Sequence, residues 1–271
     1  MMIRRLFSTL LAVCFIIVAQ AQKTGEIKNG VIATRYENGQ VKTLTSYKNN
    51  MLHGKFVAYY ENGNLKERGK YRNNIQEGKW QKWYENKQLR CENIYNKGML
   101  NGDFNYYYED GTLQYHEVYE MNRRQGEWSY YYPNGVLRET QHYKDHKKVG
   151  TWYYYFADGK IQGEIHYNLS KKTGVWKEWD ENGVLREETP YENNLVNGVK
   201  KSYNQAGVLI EETSYQNHLK NGAWIKYYDN GKIATRGFYK EGRHKDGEWL
   251  YYNELGELIK TEAYQAPSAM K

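Results

Sequence analysis

The chain has 271 residues, so by length alone it could form two ordinary domains. It contains 29 Tyr and eight Trp but only six Phe, and its mean hydropathy of -0.98 is too polar for a thick aliphatic core. Only three prolines and many aromatic residues argue against a disordered chain, and the formal charge of +7 only weakly favours anionic partners. Amphipathic rings of this kind suit a thin sheet that keeps much of its area near water.

Residues 1–21 have the features of a signal peptide. Arg4 and Arg5 give a positive start, an apolar stretch covers residues 6–18, and residues 19–21 form a small-x-small cleavage site. The apolar stretch is shorter than the ~20 residues that a membrane-spanning helix needs, which argues against an uncleaved anchor. We therefore predict an exported protein that is periplasmic, at the cell surface or secreted.

Cysteine usage fits this prediction without adding to it. A lipoprotein signal would use Cys14, but it needs a small residue before the cysteine, and Val13 is not small. After cleavage the formal charge falls from +7 to +5 and Cys91 is the one cysteine left, so no internal disulfide can form. Stability must then come from packing.

After a short lead-in at residues 22–29, one unit recurs ten times over residues 30–264, and a tail at residues 265–271 follows. A fixed period of this length is typical of a repeat array, in which each unit contacts only its neighbours. The period is 24 residues except for a last step of 25. Repeats 1 to 10 begin at Gly30, Gly54, Gly78, Gly102, Gly126, Gly150, Gly174, Gly198, Gly222 and Gly247.

Positions within a repeat are numbered as offsets from its first glycine. Offset 2 is aromatic in most copies, offset 5 in nine of ten, offset 9 is Gly in nine of ten, offset 11 is aliphatic and offset 17 is Tyr in all ten. In repeat 5 these residues are Trp128, Tyr131, Gly135, Leu137 and Tyr143. Such recurrence marks packing positions rather than a local ligand site.

Each repeat is predicted to be a β-hairpin. Asn-Gly or Asp-Gly at offsets 8 and 9 predicts a type I′ turn, and the six mostly polar residues between an offset 17 tyrosine and the next starting glycine predict a short return loop. Offsets 11 and 17 share a face if the strand is unbroken, whereas offsets 2 and 5 require either rings on both faces or a β-bulge. The predicted fold class is all-β: an elongated, twisted single antiparallel sheet of about ten 24-residue β-hairpin repeats.

The segments GEWSYYYPNGVLRETQHYKDHKKVG and GAWIKYYDNGKIATRGFYKEG resemble the MORN repeat variant of bacterial proteins, including the YwqK-type antitoxins of toxin-antitoxin systems. The resemblance covers residues 30–264 and implies an elongated MORN-like β-ribbon that acts as a binding scaffold, with no catalytic residues. An antitoxin role conflicts with the predicted export. Residues 150–159 are also similar to aromatic cell-wall-binding repeats, which are shorter and lack the tyrosine at offset 17.

The sequence contains few residues arranged for catalysis or metal binding, and we predict no enzyme activity, no cofactor and no metal site. His142 and His146 would need a helix to bind one metal, and His142 and His166 lie one repeat apart, roughly 10 Å by strand spacing. The serines lack a nucleophile-elbow context, and no glycine-rich phosphate loop precedes a helix.

Two features could bind a partner. The first is a ladder of rings at offset 2, which could stack on sugars or contact a protein, but which would equally serve as the core. Its members are Trp80, Phe104, Trp128, Trp152 and Trp176. The second is a basic set between repeats, which could meet anionic lipid or polysaccharide along one edge or could simply be solvated loops. Its members are Arg123, Arg124, Lys144, Lys147, Lys148, Lys171 and Lys172.

From these features we predict a non-enzymatic exported scaffold that binds a protein partner. The alternatives are a module that binds glycan or an anionic envelope surface, and an antitoxin-like neutralising protein. Interspersed charges and export argue against a nucleic-acid partner. Function should lie where the copies differ, around residues 123–172 and at Lys200, which replaces the ring at offset 2 of repeat 8.

Overall fold

The computed structural model describes residues 29–242 and 244–265, which form one antiparallel sheet of 23 strands. The predicted signal peptide, nearly all of the lead-in and most of the tail lie outside these residues. The strands are β1 (Asn29–Arg35), β2 (Val41–Lys48), β3 (Met51–Tyr59), β4 (Leu65–Arg72), β5 (Ile75–Trp83), β6 (Leu89–Asn96), β7 (Met99–Tyr107), β8 (Leu113–Glu120), β9 (Arg123–Arg124), β10 (Gly126–Tyr131), β11 (Leu137–Lys144), β12 (Lys147–Lys148), β13 (Gly150–Tyr155), β14 (Ile161–Asn168), β15 (Lys171–Trp179), β16 (Leu185–Glu192), β17 (Leu195–Val196), β18 (Gly198–Tyr203), β19 (Leu209–Gln216), β20 (Leu219–Tyr227), β21 (Ile233–Lys240), β22 (His244–Tyr252) and β23 (Leu258–Tyr264).

The order of strands in the sheet follows the order of the chain. Ten hairpins, one for each repeat, pair the strand before each Asn-Gly-type turn with the strand after it. The second strand of each hairpin pairs with the first strand of the next hairpin. The two-residue strands β9, β12 and β17 are the leading segments of β10, β13 and β18. The predicted fold class is therefore confirmed.

The Asn-Gly turns are not of the predicted type I′. In repeat 5 the Gly135 N–H donates to the Tyr132 carbonyl at 2.9 Å and the Tyr132 N–H donates to the Val136 carbonyl at 2.8 Å, which closes a three-residue loop. In this loop only Gly135 takes a positive φ, of 81°. A type I turn followed by one left-handed residue is the usual solution for a three-residue hairpin loop, so a single permissive residue suffices.

Type I′ geometry occurs instead at the turns between repeats. At offsets 19 and 20 both residues take positive φ, for example 48° and 64° at Met121 and Asn122, and 48° and 65° at Asp145 and His146. The predicted six-residue loop is wrong, because the chain turns within two residues and the next strand begins at offset 21. Arg123, Lys147 and Lys171 therefore lie in strands rather than in loops.

A bulge in the second strand of every hairpin decides which face the aliphatic residue at offset 11 occupies. In repeat 5, Tyr130 pairs with Glu139 but Tyr131 pairs with Leu137, which leaves Arg138 as the extra residue. Because the strand alternates normally between Tyr130 and Tyr131, the bulge places offset 11 on the face opposite to offset 17. Of the two options left open by the sequence, the first applies: offsets 2 and 5 lie on opposite faces, so the first strand carries rings on both faces, and the bulge lies in the second strand.

Side chains at the Asn-Gly edge join each repeat to the next. Tyr108, at offset 6, donates its hydroxyl hydrogen to the Tyr131 carbonyl of the following repeat at 2.9 Å. The same bond recurs from Tyr36, Tyr60, Tyr84, Tyr132 and Tyr228. At offset 8 the Asn134 amide donates to the Ala157 carbonyl at 2.9 Å. Consecutive hairpins are thus tied by side-chain bonds in addition to the backbone ladder.

Candidate partner-binding surface

An aromatic ladder runs along one face of the sheet, where the offset 2 rings alternate with the offset 17 tyrosines. Ring centroids are 5.2 Å apart for Tyr119 and Trp128, 4.8 Å for Trp128 and Tyr143, 5.3 Å for Tyr143 and Trp152, and 4.8 Å for Trp152 and Tyr167. These separations are typical of tilted and edge-to-face aromatic pairs. Trp128, Tyr143, Trp152 and Ile165 form the main buried cluster.

The buried tryptophans of the ladder are core residues. Trp128 and Trp152 are only 4% and 3% exposed, and their indole N–H groups donate to the backbone carbonyls of Val118 and His142. Trp80 is 2% exposed, while Trp176 is half-buried. Of the three tryptophans named as candidate partner contacts, only Trp176 keeps substantial accessible surface. Stacking of sugars on the other two would require the side chains that cover them, such as Arg124 over Trp128 and Lys148 over Trp152, to move aside.

A row of cations covers the ladder near the turns between repeats. The Arg124 guanidinium lies 5.3 Å from the Trp128 ring centroid, the Lys148 ammonium 4.2 Å from Trp152, and the Lys172 ammonium 4.6 Å from Trp176. Each cation also lies about 5 Å over the next tyrosine of the ladder. Burial lowers the pKa of Lys148 and of Lys172. These cations are held against the rings and are partly dehydrated.

The turns themselves fix this row. His146 N–H donates to the Arg124 carbonyl at 3.1 Å, and Arg124 N–H donates to His146 Nδ1 at 3.3 Å. Ser170 brackets Lys148 in the same way, with bonds of 2.8 and 3.0 Å, and Asn194 brackets Lys172, with bonds of 3.0 and 2.7 Å. Each cation therefore has its backbone bonded to the turn of the following repeat.

The remaining basic residues are exposed beside this row. Arg123 pairs with Asp145 at 3.1 Å and with Glu120 at 3.7 Å. Lys144, Lys147 and Lys171 are exposed. We call the seven predicted cations together the basic rim: Arg123, Arg124, Lys144, Lys147, Lys148, Lys171 and Lys172. They lie on three consecutive turns, and the structure brings them to one edge of the sheet as the sequence predicts, although on strand ends rather than in loops.

Partly buried acids lie farther along the same face. Glu117 accepts hydrogen bonds from the hydroxyls of Tyr119 at 2.8 Å and Tyr130 at 3.0 Å. Burial raises the pKa of Glu117, and these two bonds oppose the rise. Burial likewise raises the pKa of Glu139, whose Coulombic partners include Lys148. Along their strands, these two acids therefore lie farther from the turns between repeats than Arg124 and Lys148 do.

Repeat 8 interrupts the ladder where the sequence predicts a departure. Lys200 replaces the ring and pairs with Glu187 at 2.8 Å. Glu187 also accepts a hydrogen bond from the Thr189 hydroxyl at 2.6 Å, and Thr189 is only 4% exposed. The place of the missing ring in repeat 8 is thus taken by a polar network of Lys200, Glu187 and Thr189.

Histidines on the opposite face form a short hydrogen-bonded chain. His142 Nδ1 lies 3.0 Å from the Thr151 carbonyl, and the Thr151 hydroxyl lies 2.8 Å from His166 Nδ1. His142 Nε2 also lies 3.3 Å from Glu127. Within residues 29–242 and 244–265 no group of three His, Cys, Asp or Glu side chains is placed to hold a metal ion. The described part of the chain also contains no helix that could span a membrane.

Two structural signals were missed by the sequence interpretation. Tyrosine recurs at offset 6 in six repeats, and this period alone could have identified the inter-repeat hydroxyl bonds. Cations at offset 22 precede the next offset 2 ring by four residues on one strand, so strand parity could have placed Lys148 and Trp152 on one face. Assigning offset 22 to a loop hid that relation.

Comparison with protein families identifies nine segments of the chain. The MORN repeat variant model matches residues 28–49, 52–73, 76–97, 100–121, 124–145, 148–169, 172–193, 196–217 and 220–241. The hairpin of β22 and β23 is a tenth copy by pairing, although the family model does not match it. A search of curated proteins finds no match to this chain.

Solved structures give only distant likenesses. Chains of the TcdB2-TccC3-Cdc42 and TcdB2-TccC3-TEV crystal structures match at 13% and 11% identity, with TM-scores of 0.20 and 0.19. These alignments cover 88% and 94% of this chain but only 15% and 17% of those chains. A porin-like protein from Bacteroides uniformis matches at 7% identity and a TM-score of 0.19, covering 81% of this chain and 88% of the other. None of these likenesses is strong enough to inform function.

Proposed function

We propose that this chain, which belongs to the MORN repeat variant family, is a non-enzymatic exported scaffold that binds a protein partner through its basic rim. The observation that carries the proposal is the rim itself. Seven cations lie on three consecutive turns, against two acids on the same turns, Glu120 and Asp145. A concentration of one charge sign on an ordered edge favours recognition of a complementary surface.

The buried cluster next to the rim supports this role. The rim lies beside the buried cluster of Trp128, Tyr143, Trp152 and Ile165. A partner would therefore meet side chains whose backbone is already ordered, which lowers the entropic cost of binding.

Two of the other candidate functions, glycan stacking and an antitoxin-like role, receive less support. Glycan stacking would use the offset 2 rings, but Trp128 and Trp152 are buried. An antitoxin-like role is a narrower version of protein binding and rests on resemblance alone.

Export rests on residues 1–21, and mass spectrometry of the mature protein from an envelope or culture fraction tests it. A mature chain that still carries residues 1–21 would contradict export by this signal.

The decisive experiment is affinity capture from envelope extract with matched variants. Lys147→Glu/Lys171→Glu reverses two exposed rim charges, and Lys48→Glu/Lys97→Glu reverses two charges on the turns that follow repeats 1 and 3. We expect specific proteins captured by the wild type and the control pair to be lost with the rim pair. Equal capture by all three, or capture of nothing, would refute rim-mediated protein binding.

The rim variants must lose contact with the partner without misfolding. Lys147 and Lys171 are exposed strand-end residues, so charge reversal there should change stability by less than about 0.5 kcal/mol. Circular dichroism and thermal melting of both pairs therefore accompany the capture.

A further inference from the structure

We propose that the partner meets the basic rim with an extended acidic segment in polyproline II conformation, carrying a carboxylate at every third residue. This inference rests on the proposed function, because it names the chemistry of the protein that the rim binds. It follows from the spacing of the cations, from their ordering and from the abrupt ends of the rim.

The rim presents its charges at a fixed interval. One repeat contributes two strands, so equivalent cations such as Arg123, Lys147 and Lys171 are separated by roughly 10 Å along the sheet. The bracketing bonds from His146 and Ser170 hold successive turns in this register. The rim is therefore a ladder of charges with a defined period rather than a diffuse basic patch.

Polyproline II is the chain conformation that matches this period on one side. It has three residues per turn and a rise of about 3.1 Å, so every third side chain points the same way at about 9.3 Å intervals. In a β-strand, side chains three residues apart point to opposite faces. The polyproline II segment also needs no internal hydrogen bonds and can be ordered before binding.

Two cations on each turn can flank such a segment. Lys147 is exposed while its neighbour Lys148 is half-buried over Trp152, and because consecutive strand residues alternate, the two point to opposite sides of the sheet edge. Lys171 and Lys172 repeat the arrangement one turn further on. Burial has already removed part of the hydration of Lys148 and Lys172. A carboxylate that binds between the two lysines of a turn therefore causes little further dehydration of the buried one.

The ends of the rim set the length of the segment. At the equivalent offsets, the preceding turn carries Met99 and Leu100 and the following turn carries Leu195 and Val196. The cationic stretch therefore spans three turns, which corresponds to about nine residues of a polyproline II segment. Apolar residues at both ends would suit apolar flanks on the partner.

The test compares peptides of one composition. The probe is EPPEPPEPP and the control is EEEPPPPPP, each with a neutral cap at both termini, and affinities are measured by fluorescence polarisation at low and physiological salt. We expect the spaced peptide to bind the full chain at least about fivefold more tightly, a factor equivalent to one good exposed ion pair. Equal affinities would overturn the spacing argument, because net charge alone would then account for binding.

Variants locate the effect and separate it from other sources of anion. Lys147→Ala/Lys171→Ala should remove the preference for the spaced peptide, while Lys48→Ala/Lys97→Ala should keep it. Tighter binding by a helical peptide with Glu at every seventh residue would refute the polyproline II conformation. Binding to phosphatidylglycerol vesicles that the rim pair abolishes, with no peptide binding, would instead assign the rim to a lipid surface.

Failure here is distinguishable from failure of the proposed function. If rim-dependent proteins are captured from envelope extract but neither peptide spacing is preferred, the scaffold role stands and the acidic polyproline II segment does not. If the spaced peptide binds with the expected preference, the acidic segment of any captured protein can be sought by the same spacing.

Discussion

Gly69→Ala should destabilise the N-terminal repeats although it adds only a methyl group. Gly69 lies at offset 15 of repeat 2, directly beneath the indole of Trp80, and a Cβ there would lie 2.2 Å from Trp80 Cδ2 and 2.3 Å from Cε2. Trp80 is 2% exposed and packs on Phe56 and Tyr71, at ring centroid distances of 5.7 and 5.0 Å. The ring cannot remain where it is.

The magnitude follows from the displacement. Ordinary carbon–carbon contacts are about 3.5–4.0 Å, so the indole of Trp80 must move by more than about 1 Å into neighbouring rings. Overpacking of a core usually costs about 1–3 kcal/mol. Complete loss of the Trp80 packing, at about 3–5 kcal/mol, is the upper bound.

Gly163→Ala is the matched control, and it should have the opposite sign. A Cβ at Gly163 would meet the Lys177 carbonyl at 3.4 Å and Trp176 Nε1 at 3.6 Å, which are ordinary contacts. Replacing this glycine reduces the freedom of the unfolded chain and should stabilise by about 0.4–1 kcal/mol. Both variants differ from the wild type by one methyl group in a strand.

The assay is urea unfolding followed by circular dichroism, with amide hydrogen exchange to locate the change. Exchange should accelerate in β4 to β6 for Gly69→Ala, because each repeat contacts mainly its neighbours. In a Trp80→Ala background the added methyl group should cost nothing further. If Gly69→Ala proves as benign as Gly163→Ala, the assignment of Gly69 as the platform for Trp80 is wrong.

Phe156→Tyr should add the missing offset 6 hydroxyl bond to the Trp179 carbonyl and raise the unfolding free energy by about 0.5–1.5 kcal/mol, whereas an unchanged urea midpoint would show that the bond does not form. Lys87→Gly should stabilise by up to about 1 kcal/mol, because Lys87 holds a φ of 73° where the other repeats have glycine; a loss of stability would contradict this. Burial raises the folded-state pKa of Glu139 above its unfolded value, so its penalty is absent at low pH and appears as the pH rises through the folded pKa. Glu139→Gln should therefore stabilise at pH 7 and not below about pH 4, and a pH-independent difference in thermal midpoint would refute the cause.

The hairpin array could be predicted from sequence because its determinants are local and repeated. Tyr143 and its nine equivalents mark the strand after each turn, and Gly135 and its equivalents mark the turn. The turn types could not be predicted in the same way. Whether Asn134 takes a positive φ depends on whether the loop has two or three residues, and that is set by the strand pairing.

The seven cations of the basic rim lie along one edge of the sheet, as predicted, but on strand ends rather than in loops. Assigning Lys147 and Lys148 to a loop left their directions undefined, whereas the two-residue turn places both in β12, on opposite sides of the edge. The pairing of Lys148 with Trp152 depends on this turn. Close approach of Gly69 to Trp80 depends on packing between repeats and has no signal in either repeat alone.

The structure also changes which substitutions can report on binding. Trp152→Ala is not a clean test of a ring platform, because Trp152 is 3% exposed and lies under Lys148, and its loss should cost about 3–5 kcal/mol of stability whatever the partner. Lys147 and Lys171 lie at the same edge without supporting a buried ring. A partner that is lost with the two lysines but kept when exposed surface of Trp176 is altered must bind the rim, and the reverse result would move the site to the ring face.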